Sequence, residues 1–281
     1  MQKLDLINVK KTSARVRKHI IEEVFSASSG HPGGSLSCTD ILTVLYFNEM
    51  NIDPANPKWE DRDRFVLSKG HCSPALYGVL AEKGFFNIED LTKFRGSESY
   101  LEGHPSMKFV PGVDMSTGSL GQGISAAVGM ALAGKLDKKN YRVYAMLGDG
   151  ELEEGQVWEA SMAAAHYKLD NLTIFIDHNG LQIDGKIQDV MSPEPVSNKF
   201  EAFGWKVIGI NGHDYTQIFE AISEAKKTKD KPTAIIAETI KGKGVSFMEN
   251  IAGWHGAAPS QEQRDQALAE LDAVLKKLEE E

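Results

Sequence analysis

Cysteine is scarce in this chain: Cys38 and Cys72 are its only two, in 281 residues. That excludes a disulfide-stapled scaffold and any cysteine-rich metal cluster, and makes a reducing cytoplasm the expected compartment. Positive charge is also in deficit, with 31 Lys and Arg against 40 Asp and Glu and a net charge of -9. Nucleic acid and anionic membrane surfaces both demand a basic footprint, so neither is an expected partner, and any phosphate has to be met locally. No uninterrupted apolar run approaches the roughly 20 residues of a membrane span. The opening stretch MQKLDLINVKKTSARVRK also lacks the apolar centre of a signal peptide. Repeats and low-complexity linkers are missing too.

What remains is ordinary for a globular chain, 41% hydrophobic and 25% charged. Such a length buries a substantial core, and one large α/β domain is expected over residues 1–281. Apolar positions at Val16, Ile20 and Val24 have helical spacing, predicting a helix over Ser13–Ser26 capped by Thr12 or Ser13 and ended by the turn SGHPGGS. Cys38–Met50 reads as a second helix and RFVLS as a short buried strand.

Beyond that, strand, turn and helix alternate. YRVYAML, NLTIFID, GWKVIGI and PTAIIAET read as strands, while ELEEGQVWEASMAAAHYKL and DYTQIFEAISEAKK read as helices. This alternation predicts a mostly parallel central sheet with helices on both faces, which binds ligands where its strands end. TGSLGQGISAAVGMALAGK reads as a helix of small residues suited to close packing against another helix or a second subunit. The stretch 260–281 reads as a charged amphipathic helix on the surface.

GDG, from Gly148, follows YRVYAML, so Asp149 stands where a strand gives way to a helix whose free N–H groups attract anions. A carboxylate and an anion repel there unless a divalent cation lies between them. Magnesium and calcium take about six or more oxygen ligands, so further donors are expected at a neighbouring strand end. Asn179, 30 residues past Asp149 and just after NLTIFID, offers a side-chain oxygen, and Leu181 a backbone carbonyl.

GDG followed at this distance by an Asn after a strand resembles the fingerprint of thiamine-diphosphate enzymes, in which Asp and Asn hold the cation that anchors the diphosphate. GDGELEEGQVWEA and YKLDNLTIFIDHNGLQIDG resemble transketolases in particular. The resemblance implies the thiamine-diphosphate-binding fold, with Mg2+ (or Ca2+ or Mn2+) held by Asp149, Asn179 and Leu181. It implies transfer of a two-carbon ketol unit from a ketose phosphate to an aldose phosphate. The alternatives are deoxyxylulose phosphate synthase, the alpha chain of a 2-oxo acid dehydrogenase, and a cofactor-binding or regulatory chain without catalysis of its own. The GHP and WHGA frames favour transketolase.

Four histidines lie beside glycine in loops: His31 in SGHPGG, His71 in SKGHCS, His104 in EGHPSM and His255 in GWHGAA. Imidazole donates to phosphate oxygens, orients hydroxyls and moves protons near neutral pH. The resemblance implies that all four line the catalytic channel, with His71 and His255 also near the cofactor. TGSLGQG, which has the order GxxGxG rather than that of a dinucleotide loop, matches a family segment along the cofactor and assigns it Gly118, Ser119 and Leu120. Gly150 and Lys241 are implied at the diphosphate. Glu154 and Glu159 are implied at the contact between subunits, where they help link two active sites. Glu151 and Glu153 are expected to serve only the helix end. His19 and His166 read as packing or surface residues, His178 and His213 stay unassigned, and GHD at Gly212 reads as a helix entry.

The resemblance spans about residues 10–260 but only the first of a transketolase's three domains. It therefore implies a separately encoded C-terminal subunit carrying the pyrimidine-binding and C-terminal domains, with two copies of each chain in the assembly. A fragment of a longer chain is the alternative, and KKLEEE is expected to be a natural terminus. Gly33 and Gly34 stand where some members carry a serine that meets the sugar, which leaves donor and acceptor open.

Overall fold

The computed structural model describes residues 4–280. Glu281, the last residue of the expected 260–281 helix, and residues 1–3 of the expected 1–281 domain lie outside the described residues. In chain order the first elements are α1 (Leu6–Ser26), α2 (Pro32–Val44, continued by a π turn over Leu45–Glu49), β1 (Arg64–Leu67), α3 (Ser73–Lys83) and α4 (Gln122–Leu136). Next come β2 (Val143–Gly148), α5 (Gly155–His166), β3 (Leu172–His178), a small hairpin of β4 (Leu181–Gln182) and β5 (Gly185–Lys186), α6 (Ile187–Val190) and α7 (Val196–Ala202). The chain finishes with β6 (Lys206–Asn211), α8 (Tyr215–Lys227), β7 (Thr233–Glu238) and α9 (Gln261–Glu279). Among the described residues no helix is long and apolar enough to cross a membrane.

The main sheet has the order β1-β2-β3-β7-β6, and every pairing in it is parallel, as the alternation predicted. Residues of β2, β3 and β7 such as Met146, Ile174 and Ile235 are buried on both faces, which is why these strands read as continuous apolar runs. Helices α4, α5 and α7 contribute to the core on one face, with Ile124, Val157 and Phe200. On the other face α1, α2, α3 and α8 contribute Ile20, Leu42, Leu76 and Ile218. The chain steps one way from β1 to β3, then returns to insert β7 inside β6. A right-handed crossover requires the connecting helix to change face at that reversal, and α8 does.

Helix boundaries differ from the sequence reading in four places. α1 begins seven residues early, with Asp5 as its cap accepting from Asn8 N–H at 3.2 Å, and Thr12 and Ser13 are buried inside it. Leu6 and Ile7 in its first turn are exposed and do not continue the spacing of Val16, Ile20 and Val24. α2 starts at Pro32, since proline at a first helical position sacrifices no hydrogen bond, so SGHPGGS is mostly helix rather than turn. α4 starts only at Gln122, after Gly118 (φ 149°) and Gly121 (φ 81°) take left-handed conformations that a helix forbids. A short 3-10 turn, Gly150–Glu153, separates GDG from α5.

Other signals translated directly. Asp214 caps α8, accepting from Thr216 and Gln217 N–H, so GHD is a helix entry. Ser260 and Gln263 form a capping box at the start of α9. α9 lies against α1 with Ala267, Leu271 and Leu278 buried, so it is amphipathic with a packed face rather than wholly a surface element.

Candidate functional site

Four neighbouring strands present their carboxyl ends to one side of the sheet, and chemistry-bearing residues follow each of them. Lys69 and His71 follow β1, Asp149 follows β2, Asn179 and Leu181 follow β3, and Thr239 and Lys241 follow β7. They surround a cleft of about 320 Å³. Of the residues selected from sequence, His31, His71, Gly118, Leu120, Asp149, Gly150, Glu154, Asn179, Leu181, Lys241 and His255 line it. Ser119, His104 and Glu159 are not in the lining. His104 is exposed beside Gly118, where a Cβ would come within 3.0 Å of its ring, and Glu159 is exposed on α5.

Asp149 and Asn179 meet where β2 and β3 end. The N–H of Gly180 donates to Asp149 Oδ2 at 2.6 Å, and that of Gly150 to Oδ1 at 2.9 Å. Asn179 Oδ1 accepts from Leu181 N–H at 3.2 Å, and the Leu181 carbonyl accepts from Lys241 Nζ at 3.0 Å. Burial and the nearby Asp177 push the Asp149 carboxyl up to about 6. Lys241 is buried, and that burial lowers its affinity for a proton against the pull of Asp149. Among the described residues no group of three or more His, Cys, Asp and Glu side chains is arranged to hold a metal ion. A cation at Asp149 therefore depends on amide, carbonyl and ligand oxygens for the rest of its shell, a donor set that suits a hard ion.

Beside Lys241 three imidazoles form a near-equilateral triangle. Ring centroids are 5.2 Å apart for His31–His71, 5.4 Å for His31–His255 and 5.1 Å for His71–His255. Burial, then the positive charge of neighbours, keeps them neutral. His31 is lowered to about 4 by burial and Arg95, His255 to about 3 by burial and Lys241, and His71 far down by burial and Lys69. Lys241 Nζ lies 3.2 Å from His255 Nδ1, so this nitrogen accepts and Nε2 carries the hydrogen. Buried His31 Nδ1 has no partner among the described residues, which leaves a donor or acceptor free for a bound group.

Glycines shape the floor. A Cβ at Gly33 would lie 2.8 Å from the Trp254 carbonyl oxygen, and one at Gly34 would lie 2.8 Å from Cys72 Sγ. Backbone therefore packs against backbone and sulfur there with no space for a side chain.

Beneath the cleft lies a polar network that the sequence reading missed. Lys69 Nζ donates to Asp177 Oδ2 at 2.5 Å and to the Gly34 carbonyl at 2.8 Å, while Asp177 also accepts from the hydroxyls of Ser37 and Thr239. Lys69 and Asp177 are 2% and 0% exposed. Burial alone would neutralise both, but their mutual attraction overrides it, raising Lys69 and lowering Asp177. Asn179 Nδ2 also donates to Asp177 Oδ2, at 3.3 Å, so the pair supports the predicted cation ligand from below. The signal for it in the sequence was an Asp closing the apolar run LTIFID, a charge that an ordinary strand end would not bury.

Glu151 likewise departs from expectation. It is 2% exposed, whereas Glu153 and Glu154 are exposed as helix-end acids should be. Its carboxylate is bonded to three separate segments, one of them the cap of α4, rather than to the start of α5 that follows it.

The unassigned histidines are structural bridges. His178 joins Glu238 at 2.8 Å and Glu194 at 2.9 Å. His213 bonds Asp40 at 2.8 Å and accepts from Ile240 N–H at 2.9 Å. With Arg17 and Tyr215 it floors a separate cavity of about 430 Å³ between α1 and α9, which shares no residue with the cleft. His19 pairs with Glu82 at 2.8 Å, as a packing residue would.

Comparison with known proteins gives one consistent result. Residues 9–272 match the family model described as transketolase, thiamine diphosphate binding domain. The chain is 46% identical over 269 residues to an apulose-4-phosphate transketolase subunit of Phocaeicola vulgatus, covering 96% of this chain and 95% of that protein. It is 48% identical over 257 residues to the 6-deoxy-6-sulfo-D-fructose transketolase subunit SqwG of Clostridium sp., covering 92% and 94%. The solved transketolase of Campylobacter jejuni superposes with a TM-score of 0.90 at 35% identity, covering 98% of this chain but only 46% of that one.

Proposed function

This chain belongs to the transketolase family through its thiamine-diphosphate-binding domain, and on that premise we propose that it is the N-terminal subunit of a split transketolase. It transfers a two-carbon ketol unit between a ketose phosphate and an aldose phosphate, together with a separate chain that supplies the pyrimidine-binding and C-terminal domains. Relatives that are named as transketolase subunits, and that match this chain almost end to end, support the division. The assembly we propose is two copies of each subunit in a reducing cytoplasm, with residues 1–281 as one diphosphate-binding domain.

The observation that carries this reading is the placing of Asp149 and Asn179 at adjacent strand ends, in one cleft with Lys241 and three neutral imidazoles. The donor set fits the group. Asp149, Asn179 Oδ1 and the Leu181 carbonyl would hold Mg2+, or Ca2+ or Mn2+, and Lys241, Gly150, His71 and His255 would meet the diphosphate. Gly118, Ser119 and Leu120 would run along the cofactor. When bound, thiamine diphosphate supplies the electron sink for the two-carbon unit.

The chain's own residues bind, orient and move protons. Lys241 now caps the Leu181 carbonyl and would turn to phosphate oxygens, an exchange of one oxygen acceptor for a charged one. His31, whose Nδ1 is unpartnered, is neutral at pH 7 and can orient or deprotonate a sugar hydroxyl. His104, lowered by partial burial and Arg95, would do the same further out, and His255, accepting from Lys241 at Nδ1, would present its Nε2 hydrogen to a bound group. Glu154 and Glu159, exposed on one side, would lie at the contact between active sites. The outer face of α4 there leaves Gly129, Ala133 and Leu136 exposed, on the helix of small residues expected to pack against another helix or a second subunit.

The sugars in the names of the two relatives, apulose-4-phosphate and 6-deoxy-6-sulfo-D-fructose, each bear an anionic group, phosphate in one and sulfonate in the other. We take a terminal anionic sugar as the substrate class. The test is reconstitution with the C-terminal subunit, followed by assay on ketose phosphate plus aldose phosphate and, separately, on pyruvate. Ketol transfer supports the reading. Activity on pyruvate alone would move the chain to another thiamine-diphosphate reaction, and absence of saturable cofactor binding would leave only a scaffold.

A further inference from the structure

Glu151 is almost sealed from solvent, yet its two carboxylate oxygens reach three different segments. One oxygen accepts from Gly121 N–H at 2.9 Å and from the Ser68 hydroxyl, and the other accepts from Gly148 N–H at 3.1 Å. Gly121 closes the loop that carries Gly118 and Leu120, Gly148 opens the turn that carries Asp149 and Gly150, and Ser68 precedes Lys69 and His71. All six of those residues line the cleft.

We infer that Glu151 is a positioning residue, whose carboxylate clamps the Gly118–Leu120 loop to the Gly148–Gly150 turn and so sets the distance between the two cleft walls that hold the cofactor. This rests on reading the cleft as the thiamine-diphosphate site. The surrounding packing leaves no slack that could replace the clamp. A Cβ at Gly121 would fall 2.8 Å from Glu154 Cβ, and one at Gly123 would fall 2.6 Å from Ser68 Cα, so the start of α4 already packs tightly against Glu154 and against the residue that follows β1. Burial pushes the Glu151 carboxyl up, and the Ser68 hydroxyl and two backbone N–H groups oppose it.

The chemistry demands an acceptor on both oxygens. A hydroxyl can rotate to accept instead, but backbone N–H groups cannot. Glutamine in either orientation turns its own NH2 toward Gly121 or Gly148, leaving one buried N–H unpaired and opposed. Aspartate is one methylene too short to reach both sides.

Glu151→Gln is tested in the full chain assembled with its C-terminal partner, by calorimetric titration with thiamine diphosphate in magnesium and by kcat at saturating cofactor. Asp63→Asn is the matched control. Asp63 is another buried carboxylate that clamps two backbone N–H groups, those of Asn51 at 2.8 Å and Arg142 at 2.7 Å, at the opposite end of the sheet. An unpaired buried donor weakens a coupled equilibrium by about tenfold or more, so Glu151→Gln should raise the cofactor Kd at least that far while kcat at saturation falls much less. Asp63→Asn should lower Tm and leave Kd unchanged. If Glu151→Gln does not fold, Ser68→Ala removes the hydroxyl bond alone and should raise Kd about threefold. A wild-type Kd in either variant overturns the inference, as does a Glu151→Gln Kd that rises only in step with the Tm loss seen for Asp63→Asn. Wild-type chain that binds no thiamine diphosphate would instead overturn the reading on which the inference stands.

Discussion

The Gly180 N–H donates to Asp149 Oδ2 across 2.6 Å, and that bond ties the end of β3 to the end of β2. It brings the turn that carries Asn179 to the Asp149 carboxylate even though 30 residues and a helix separate the two in the chain. Burial, and then Asp177 behind, raise the pKa of that carboxyl, and the backbone donor offsets part of the rise. The site is thus held in shape by neutral donors on one side and an ion pair below.

That ion pair gives the first prediction. Replacing Lys69 by Met leaves Asp177 buried without its cation and should cost about 3–5 kcal/mol of stability, measured by chemical denaturation. The double replacement Lys69→Met with Asp177→Leu should be distinctly less damaging than the single one. Equal losses would show that the pair's charge balance is not what holds the cleft floor.

Gly34 and Cys72 are coupled by size. Alanine at 34 would place a Cβ 2.8 Å from Cys72 Sγ and should destabilise by roughly 1–3 kcal/mol. In a Cys72→Ala background the clash is gone, and the helical preference of alanine over glycine should make Gly34→Ala neutral or stabilising by up to about 1 kcal/mol. Additive losses in the double variant would contradict this contact.

Glu23 sits fully buried on α1, and neither carboxylate oxygen has a partner among the described residues. Burial raises its pKa well above the unfolded value, so it folds as the neutral acid. A raised folded pKa contributes stability that is complete below the unfolded pKa of 4.5 and is lost as pH rises through the folded one. The loss amounts to about 1.4 kcal/mol per pH unit within that window. Glu23→Gln should therefore raise Tm, and its advantage should grow as the pH rises above 4.5. A pH-independent advantage would mean that Glu23 is ionised in the fold.

Much of this architecture was legible in the sequence because strands buried on both faces leave uninterrupted apolar runs, and YRVYAML, NLTIFID and PTAIIAET each became a neighbour in the parallel sheet. The site was legible where glycine frames mark loops at strand ends, as for Asp149, Asn179 and His71. Helix starts were not, because the cap Asp5 and the first-turn Pro32 lie outside the periodic signal. Lys69, Asp177 and Glu151 were passed over for a different reason. Charge in a sequence reads as solvent exposure, and only the fold reveals that Lys69 and Asp177 neutralise each other or that Glu151 stands inside a ring of backbone donors. His104, Ser119 and Glu159, selected together with the lining residues, are absent from the cleft of this chain alone.

The most direct test of the central claim is calorimetric titration of the chain, assembled with its C-terminal partner, with thiamine diphosphate in the presence and absence of magnesium, for wild type and Asp149→Asn. The account predicts saturable, magnesium-dependent binding to wild type and a loss of at least about a hundredfold in Asp149→Asn, equivalent to about 2.7 kcal/mol, measured at a temperature where the cofactor-free variant is still folded. Undiminished binding by Asp149→Asn, or wild-type binding indifferent to magnesium, would contradict it.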